Sequence, residues 1–430
     1  MLHGDRTVRF ALALAAFNLL VACARGGSTP AILPTPIAIQ TPHAQDTAAP
    51  TPQVIPTSTQ TVLPPYPPLS TVRPQSYPAP TSPAPTVQEK TPATEATSAV
   101  GQCLPTEPGW SYLPLPRSYL IHDGILAPNG CDLWLVGERV NPTEAGALLR
   151  STDGGANFVE VLALPQATQL RRLIFTDNGT AWIAGYATGG RGLWLKSSDD
   201  GQTWSEATLP PQMTAITALA YTDKVMYVAA TSDKPALVRL FSSADGGETW
   251  NLIYEFSSGQ PTQFSSIGVF GSAIFVIGID GRKVFGVVSH NGGRDFQVME
   301  GLGHLTRAWT LDVVDQKRAY LGGYFSQTGR AENASAVLLR TLDGGLDWQA
   351  LEAPKEIVMF LSLLFLSPDR GFAIGGDGTI YTLGIGSDST LRVESIPLTP
   401  KPTLGLEKLF SSPGGAIYAV GTSGLYRGKP

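Results

Sequence analysis

The chain has 430 residues, a formal net charge of -5 and 15% charged residues. That balance excludes a basic nucleic-acid binder and a highly charged tail protein. The 46 Gly and 35 Pro are numerous, and about half of the Pro lie between Pro30 and Pro92.

Arg6 and Arg9 precede an apolar run from Phe10 to Ala22 that is broken only by Asn18. A spanning helix needs roughly 20 apolar residues, so residues 1–22 read as an export signal rather than a membrane span. The run ends in Leu20, Val21, Ala22 and Cys23. This resembles the bacterial lipobox and implies cleavage before Cys23 and its lipidation. A plain secretory signal is the alternative. A diacylglycerol and an N-acyl chain together anchor a protein stably, where one chain is marginal. The expected location is exported and lipid-anchored to the cell membrane, on the extracytoplasmic side.

Residues 23–100 are dominated by Pro and Thr, carry few charges and keep no helical or strand period. Such a segment buries too little apolar surface to offset its ordering entropy, and is expected to be a disordered stalk. Extended as polyproline it would reach ~200 Å, and as a coil ~50 Å. Two further cysteines, Cys103 and Cys131, fall in an oxidising compartment on this reading. They are expected to form a disulfide, with two buried thiols as the alternative.

From Cys103 onward the sequence repeats. Seven segments carry an aromatic residue and, three positions later, Gly or Ala. The aromatics are Trp134, Trp182, Tyr227, Phe275, Tyr320, Phe372 and Tyr418. Short β-rich runs flanked by Gly and turn residues read as strands, and the small residue admits a close neighbour. Around each copy a four-strand meander of about 46 residues can be traced. Seven of these fill 103–430, which predicts an all-β fold, a seven-bladed β-propeller. The seventh copy stops after its third strand. Trp110, Leu115 and Pro116 match the spacing of Trp204, Leu209 and Pro210 in a fourth strand. The N-terminal strand is therefore expected to close the ring and remove two open edges.

Five turns share a second pattern. They are Ser151, Asp153, Gly155, Phe158; Ser197, Asp199, Gly201, Trp204; Ser243, Asp245, Gly247, Trp250; Ser289, Asn291, Gly293, Phe296; and Thr341, Asp343, Gly345, Trp348. Each falls between a third and a fourth strand. Asp and Ser bond nearby N–H groups, and Gly adopts conformations closed to other residues, so a structural role is expected. The sixth copy lacks the pattern.

These turns resemble the Asp-box (BNR) repeat of sialidases, sortilin-type receptors and the photosystem II assembly and stability factor family. In whole-chain form the sequence is closer to the assembly factors: one exported seven-bladed propeller with no catalytic domain. The long stalk departs from them. The resemblance implies a non-catalytic scaffold that binds a membrane or envelope protein complex, with photosystem II as the family's partner, through an Arg-rich patch. Candidates for that patch on the face opposite the Asp turns are Arg171, Arg172, Arg191, Arg282 and Arg307; an ordinary solvated face is the alternative.

A sialidase-like enzyme needs an Arg triad to hold a carboxylate. The stretch where its first Arg belongs, Ser118 to Gly130, has none. Asp123, Asp312 and Glu407 lie in first-strand regions, but no spacing pairs them as glycosidase acids. His122, His290 and His304 lack metal-ligand spacing. No enzyme activity, cofactor, metal or nucleic acid is expected, and the chain reads as a monomer. A glycan-acting or glycan-binding propeller is the alternative.

Overall fold

Seven four-stranded antiparallel sheets follow one another along the chain, with first strands at Tyr119–Leu126, Ala167–Phe175, Ala215–Thr222, Thr262–Phe270, Arg307–Val313, Phe360–Ser367 and Leu406–Ser411. This computed structural model describes residues 108–429, apart from 128–130, 141–144, 166, 178, 210–212, 232–236, 261, 282, 330–332, 403–404, 413 and 423. The export signal, Cys23, the stalk, Cys103 and Arg282 lie outside the described residues. No helix among the described residues is long and apolar enough to cross a membrane.

Each first strand touches the first strands of both neighbouring blades, and the series closes between Tyr119–Leu126 and Leu406–Ser411. The first strands are therefore the innermost layer of a ring, as expected of a seven-bladed propeller. The last sheet takes its fourth strand from the N-terminus: Gly109–Leu113 pairs with Gly424–Lys429, Trp110 opposite Gly428 and Tyr112 opposite Tyr426. Cys131 is buried and disulfide-bonded.

Second strands are buried on both faces, because the next blade packs on each. Leu133, Trp134, Leu135 and Val136 are all buried, whereas the outer strand Val159–Leu164 keeps Val159 65% exposed. That is why second strands read as continuous apolar runs and outer ones do not.

The five repeated turns hold themselves and clamp the blades together. Ser197 donates its hydroxyl hydrogen to Asp199 at 2.7 Å and accepts the Gly201 N–H at 2.9 Å. Asp199 also accepts the Thr203 N–H at 2.9 Å and its hydroxyl at 2.6 Å. The Ser151, Ser243, Ser289 and Thr341 turns make the same first two bonds. Gly201 has φ +80°, and a Cβ there would stand 2.8 Å from Trp134 of the preceding blade. Gly247 is likewise against Trp182, and Gly345 against Phe275. In these three blades the turn glycine seats on the second-strand aromatic of the blade before it, a contact that joins the two repeated patterns, whereas Gly155 and Gly293 meet Leu and Ile side chains. In blade 6, where the pattern is missing, Asp388 caps its own turn through the Thr390 N–H and hydroxyl.

Candidate binding site

The repeated small residue has a geometric cause. A Cβ on Gly137 would stand 2.1 Å from the Leu120 carbonyl oxygen, on Gly185 2.2 Å from that of Gln169, and on Gly323 1.9 Å from that of Arg307. The first strand presses its backbone against the second at this point, and only a small side chain leaves room.

Directly beyond that contact every first strand carries a β-bulge. The residue paired with the small position is Ile121, Leu170, Ile216, Phe264, Ala308, Phe360 or Leu406, and the register then skips one residue. The skipped residues are His122, Arg171, Thr217, Ser265, Trp309, Leu361 and Glu407. Each follows a fully buried residue and is itself half-buried. A bulge re-aims the residue it inserts, and here it does so at one level of the innermost layer in all seven blades.

The ring divides into sectors. Glu407, His122 and Arg171 form a charged arc over blades 7, 1 and 2. His122 Nδ1 lies 3.6 Å from Glu407 and Nε2 3.7 Å from Glu138 on the second strand of its own blade. Burial alone would lower the imidazole pKa, and Arg171 opposes a positive charge. The two carboxylates outweigh both, and the pKa is raised. In the half-buried Arg171, burial and Arg172 lower the pKa against the pull of Tyr186, Glu407 and Glu138. Burial raises the Tyr186 phenol, while Arg171 and Arg172 oppose.

Thr217 and Ser265 form a hydroxyl arc over blades 3 and 4. Each donates to a carbonyl of its own second strand, Ala229 at 3.3 Å and Ile277 at 3.2 Å. Trp309 and Leu361 form an apolar arc over blades 5 and 6, packed with Tyr324 and Met359, and Phe325 beside them is 42% exposed. The next residues stitch neighbouring first strands together. Asp123 accepts the Leu173 N–H at 3.3 Å, Thr310 that of Leu363 at 3.0 Å and Ser362 that of Leu409 at 3.0 Å. Asp312 accepts the Phe365 N–H.

A cleft of about 520 Å³ opens beside the hydroxyl arc, lined by Tyr186, Arg191, Met213, Thr214, Thr217, Thr231 and Gln263 among others. It shares Thr217 with the ring, and its Tyr186 is within electrostatic reach of Arg171 in the charged arc, so the cleft adjoins the ring.

The Arg candidates are separated by this geometry. Arg171 and Arg172 lie within a first strand, which begins upstream of them at Ala167, rather than in the connection before it. Arg171 sits in the ring wall and bonds Gln169 at 2.7 Å, and Arg172 bonds the Arg171 carbonyl at 3.0 Å. Arg191 is 59% exposed and pairs with Glu206 at 2.6 Å. Arg307 opens the first strand of blade 5. Sequence reading passed over His122, Thr217, Ser265, Trp309 and Leu361 as members of one set. The small residue in each second strand was the signal that could have located them, because it faces the residue before each bulge. Among the described residues no three His, Cys, Asp or Glu are grouped to hold a metal ion.

No family model matches the chain, and no curated protein matches it. Solved structures do. YCF48 from Cyanidioschyzon merolae is similar with a TM-score of 0.56 and 16% identity, over 75% of this chain and 99% of that one. YCF48 bound to D1 peptide gives 0.55 and 18%, over 78% and 99%. A streptogramin B lyase gives 0.54 and 12%, over 74% and 96%. At such identities the likeness establishes the propeller fold. A peptide-binding protein and a lyase share it, so the fold does not decide the activity.

Proposed function

We propose that the chain is a non-catalytic, exported and lipid-anchored scaffold whose propeller takes a segment of a membrane or envelope protein at the bulge ring and its cleft. The observation that carries this reading is the division of the ring into charged, hydroxyl and apolar arcs. Such a surface reads several side chains of an extended segment at once, whereas a small substrate needs a few converging groups in an enclosed pocket. YCF48, a propeller of the same architecture, has been solved with a peptide bound. Catalysis at this ring is disfavoured because Glu138 and Glu407 are both engaged by the one His122 imidazole. A glycosidase instead needs an acid and a second carboxylate free to face the sugar across 5 to 10 Å or so. The repeated turns are read as structural, and Cys23 as the anchor.

The test is crosslinked co-purification of the full-length protein from its native membrane. Thr214→Trp fills the cleft from an exposed position. Arg191→Glu reverses charge in the lining of the cleft, and Arg307→Glu reverses it at the start of the first strand of blade 5. Stoichiometric recovery of one complex by the parent protein, lost in both variants, is expected. Equal recovery by the Thr214→Trp protein, or turnover of glycosides by the parent, would overturn the reading. Cys23→Ser is expected to release the protein from membranes into the soluble fraction.

A further inference from the structure

His122 has a place in the ring that no other bulge residue shares. Its bulge sets it between carboxylates from two blades, Glu138 of its own second strand and Glu407 of blade 7, across the seam where the ring closes. The His122 side chain is 8% exposed, and those of Glu138 and Glu407 are 20% and 34% exposed. Nδ1 stands 3.6 Å from Glu407 and Nε2 3.7 Å from Glu138, both beyond hydrogen-bond length. The buried Nε2 has no hydrogen bond among the described residues. The three groups thus stand one short movement from contact.

Imidazole chemistry makes that contact depend on charge. An ionised carboxylate only accepts. Neutral imidazole has one N–H, so it serves one carboxylate and turns a lone pair to the other; imidazolium has two and serves both. Burial opposes the proton, and so does Arg171, yet the two carboxylates outweigh both. The other charged groups on the strands around His122 are engaged elsewhere. Asp123 accepts the Leu173 N–H, Arg171 bonds Gln169, Arg172 bonds the Arg171 carbonyl and Arg139 bonds Glu160. Lys408, next to Glu407, is within electrostatic reach of Asp312. Glu138 and Glu407 therefore share one fixed cation, Arg171, which both attract through space. The arc is one positive charge short, and either a proton on His122 or a cation from outside supplies it.

From this geometry we infer that the ring takes a basic side chain of its partner segment on Glu407, and that the charge of His122 gates this subsite. The inference rests on the ring as a protein-binding site. As imidazolium, His122 holds Glu138 and Glu407 together, and the arc offers no carboxylate. As neutral imidazole it holds one. Glu407, the more exposed of the two and the bulge residue of blade 7, is then free to accept Lys or Arg. The partner's charge replaces the proton, so the arc is balanced in both states.

The test places a photocrosslinking amino acid at Gln263, in the lining of the cleft, in the full-length protein in its native membrane. The yield of light-dependent crosslinks is followed from about pH 5 to about pH 8.5, and the attached segment is mapped by mass spectrometry. The yield is expected to be highest at the alkaline end and to fall by up to about tenfold per pH unit below the His122 midpoint. The attached segment should carry Lys or Arg. Glu407→Gln should lower the alkaline yield by about tenfold or more and flatten the profile. Glu138→Gln keeps Glu407 but removes one support of the imidazolium, so it should keep the alkaline yield and move the fall to lower pH. An ionisation within the partner would instead leave both variants with the parent's profile. That outcome, a flat parent profile, a yield that rises in acid, or a segment without Lys or Arg would each overturn the inference while leaving the ring as a binding site. No crosslink at any pH would overturn both.

Discussion

At the scale of the residue, two buried titratable groups give the ring a pH signature. Burial raises Asp312 to about 6, against Lys408 and the Phe365 N–H, which favour the charged form. Its folded state therefore holds the proton more tightly than the unfolded chain does. The stability it contributes is present in acid and is lost as pH rises from about 4 through about 6. Asp312→Asn keeps an acceptor for the Phe365 N–H and removes the cost of burying charge. Thermal unfolding from pH 4 to 8 should show the variant flat where the parent declines, and more stable at pH 8 by about 2 to 3 kcal/mol. His122 has the opposite origin but the same sign: its raised pKa means a contribution complete below about pH 6.5 and fading as pH climbs through the folded value. Glu407→Gln removes one of its two carboxylates, so an NMR titration of the imidazole should move to lower pH. An unmoved titration would mean that Glu407 does not hold His122.

The turn residues can be tested in the same terms. Ser197→Ala leaves the Gly201 N–H without its acceptor in a buried place, which costs about 1 to 3 kcal/mol. Gly201→Ala forces a Cβ against Trp134 at a positive φ, at a cost of about 1 to 3 kcal/mol or more. Denaturant unfolding checks both. The Thr203 hydroxyl and N–H, with the Ser197 hydroxyl, hold the half-buried Asp199 at about 2, so its contribution is present at neutral pH and is lost as pH falls from about 4 through that value.

At the scale of the element, the seven blades were legible because their causes are local and repeat. An aromatic with a small residue three positions on marks a second strand, since both are demanded by neighbours at fixed places. The closing strand was legible because Trp110 keeps the spacing of Trp204. The bulges were not, although they sit opposite the same small residues. A bulge is a property of two paired strands, and the inserted residues, from Glu407 to Leu361, share no chemistry that a repeat search could detect. The same holds for Arg171, whose charge suggested a surface and whose half-burial in the ring wall comes from the register. Removal of residues up to Leu113 should open the last blade and expose the Gly424–Lys429 edge. Calorimetry is expected to show a lower and less cooperative transition; an unchanged one would mean that the closing strand adds no stability.

At the scale of the whole molecule, the propeller separates two surfaces of different chemistry. One face has the sectored ring and the 520 Å³ cleft, and the other carries the repeated turns, whose Asp side chains are bonded within their own loops. Because the ring's first strands are stitched together blade to blade, the ring is preformed, and a partner gains affinity without first ordering the site. The most direct test of the ring as a protein-binding site is a photocrosslinking amino acid at Thr214 in the full-length protein, irradiated in its native membrane and analysed by mass spectrometry. Light-dependent attachment to one recurrent segment of one protein is the expected result. Attachment to nothing, or to scattered surfaces with no recurrent segment, would contradict a docking role for the ring.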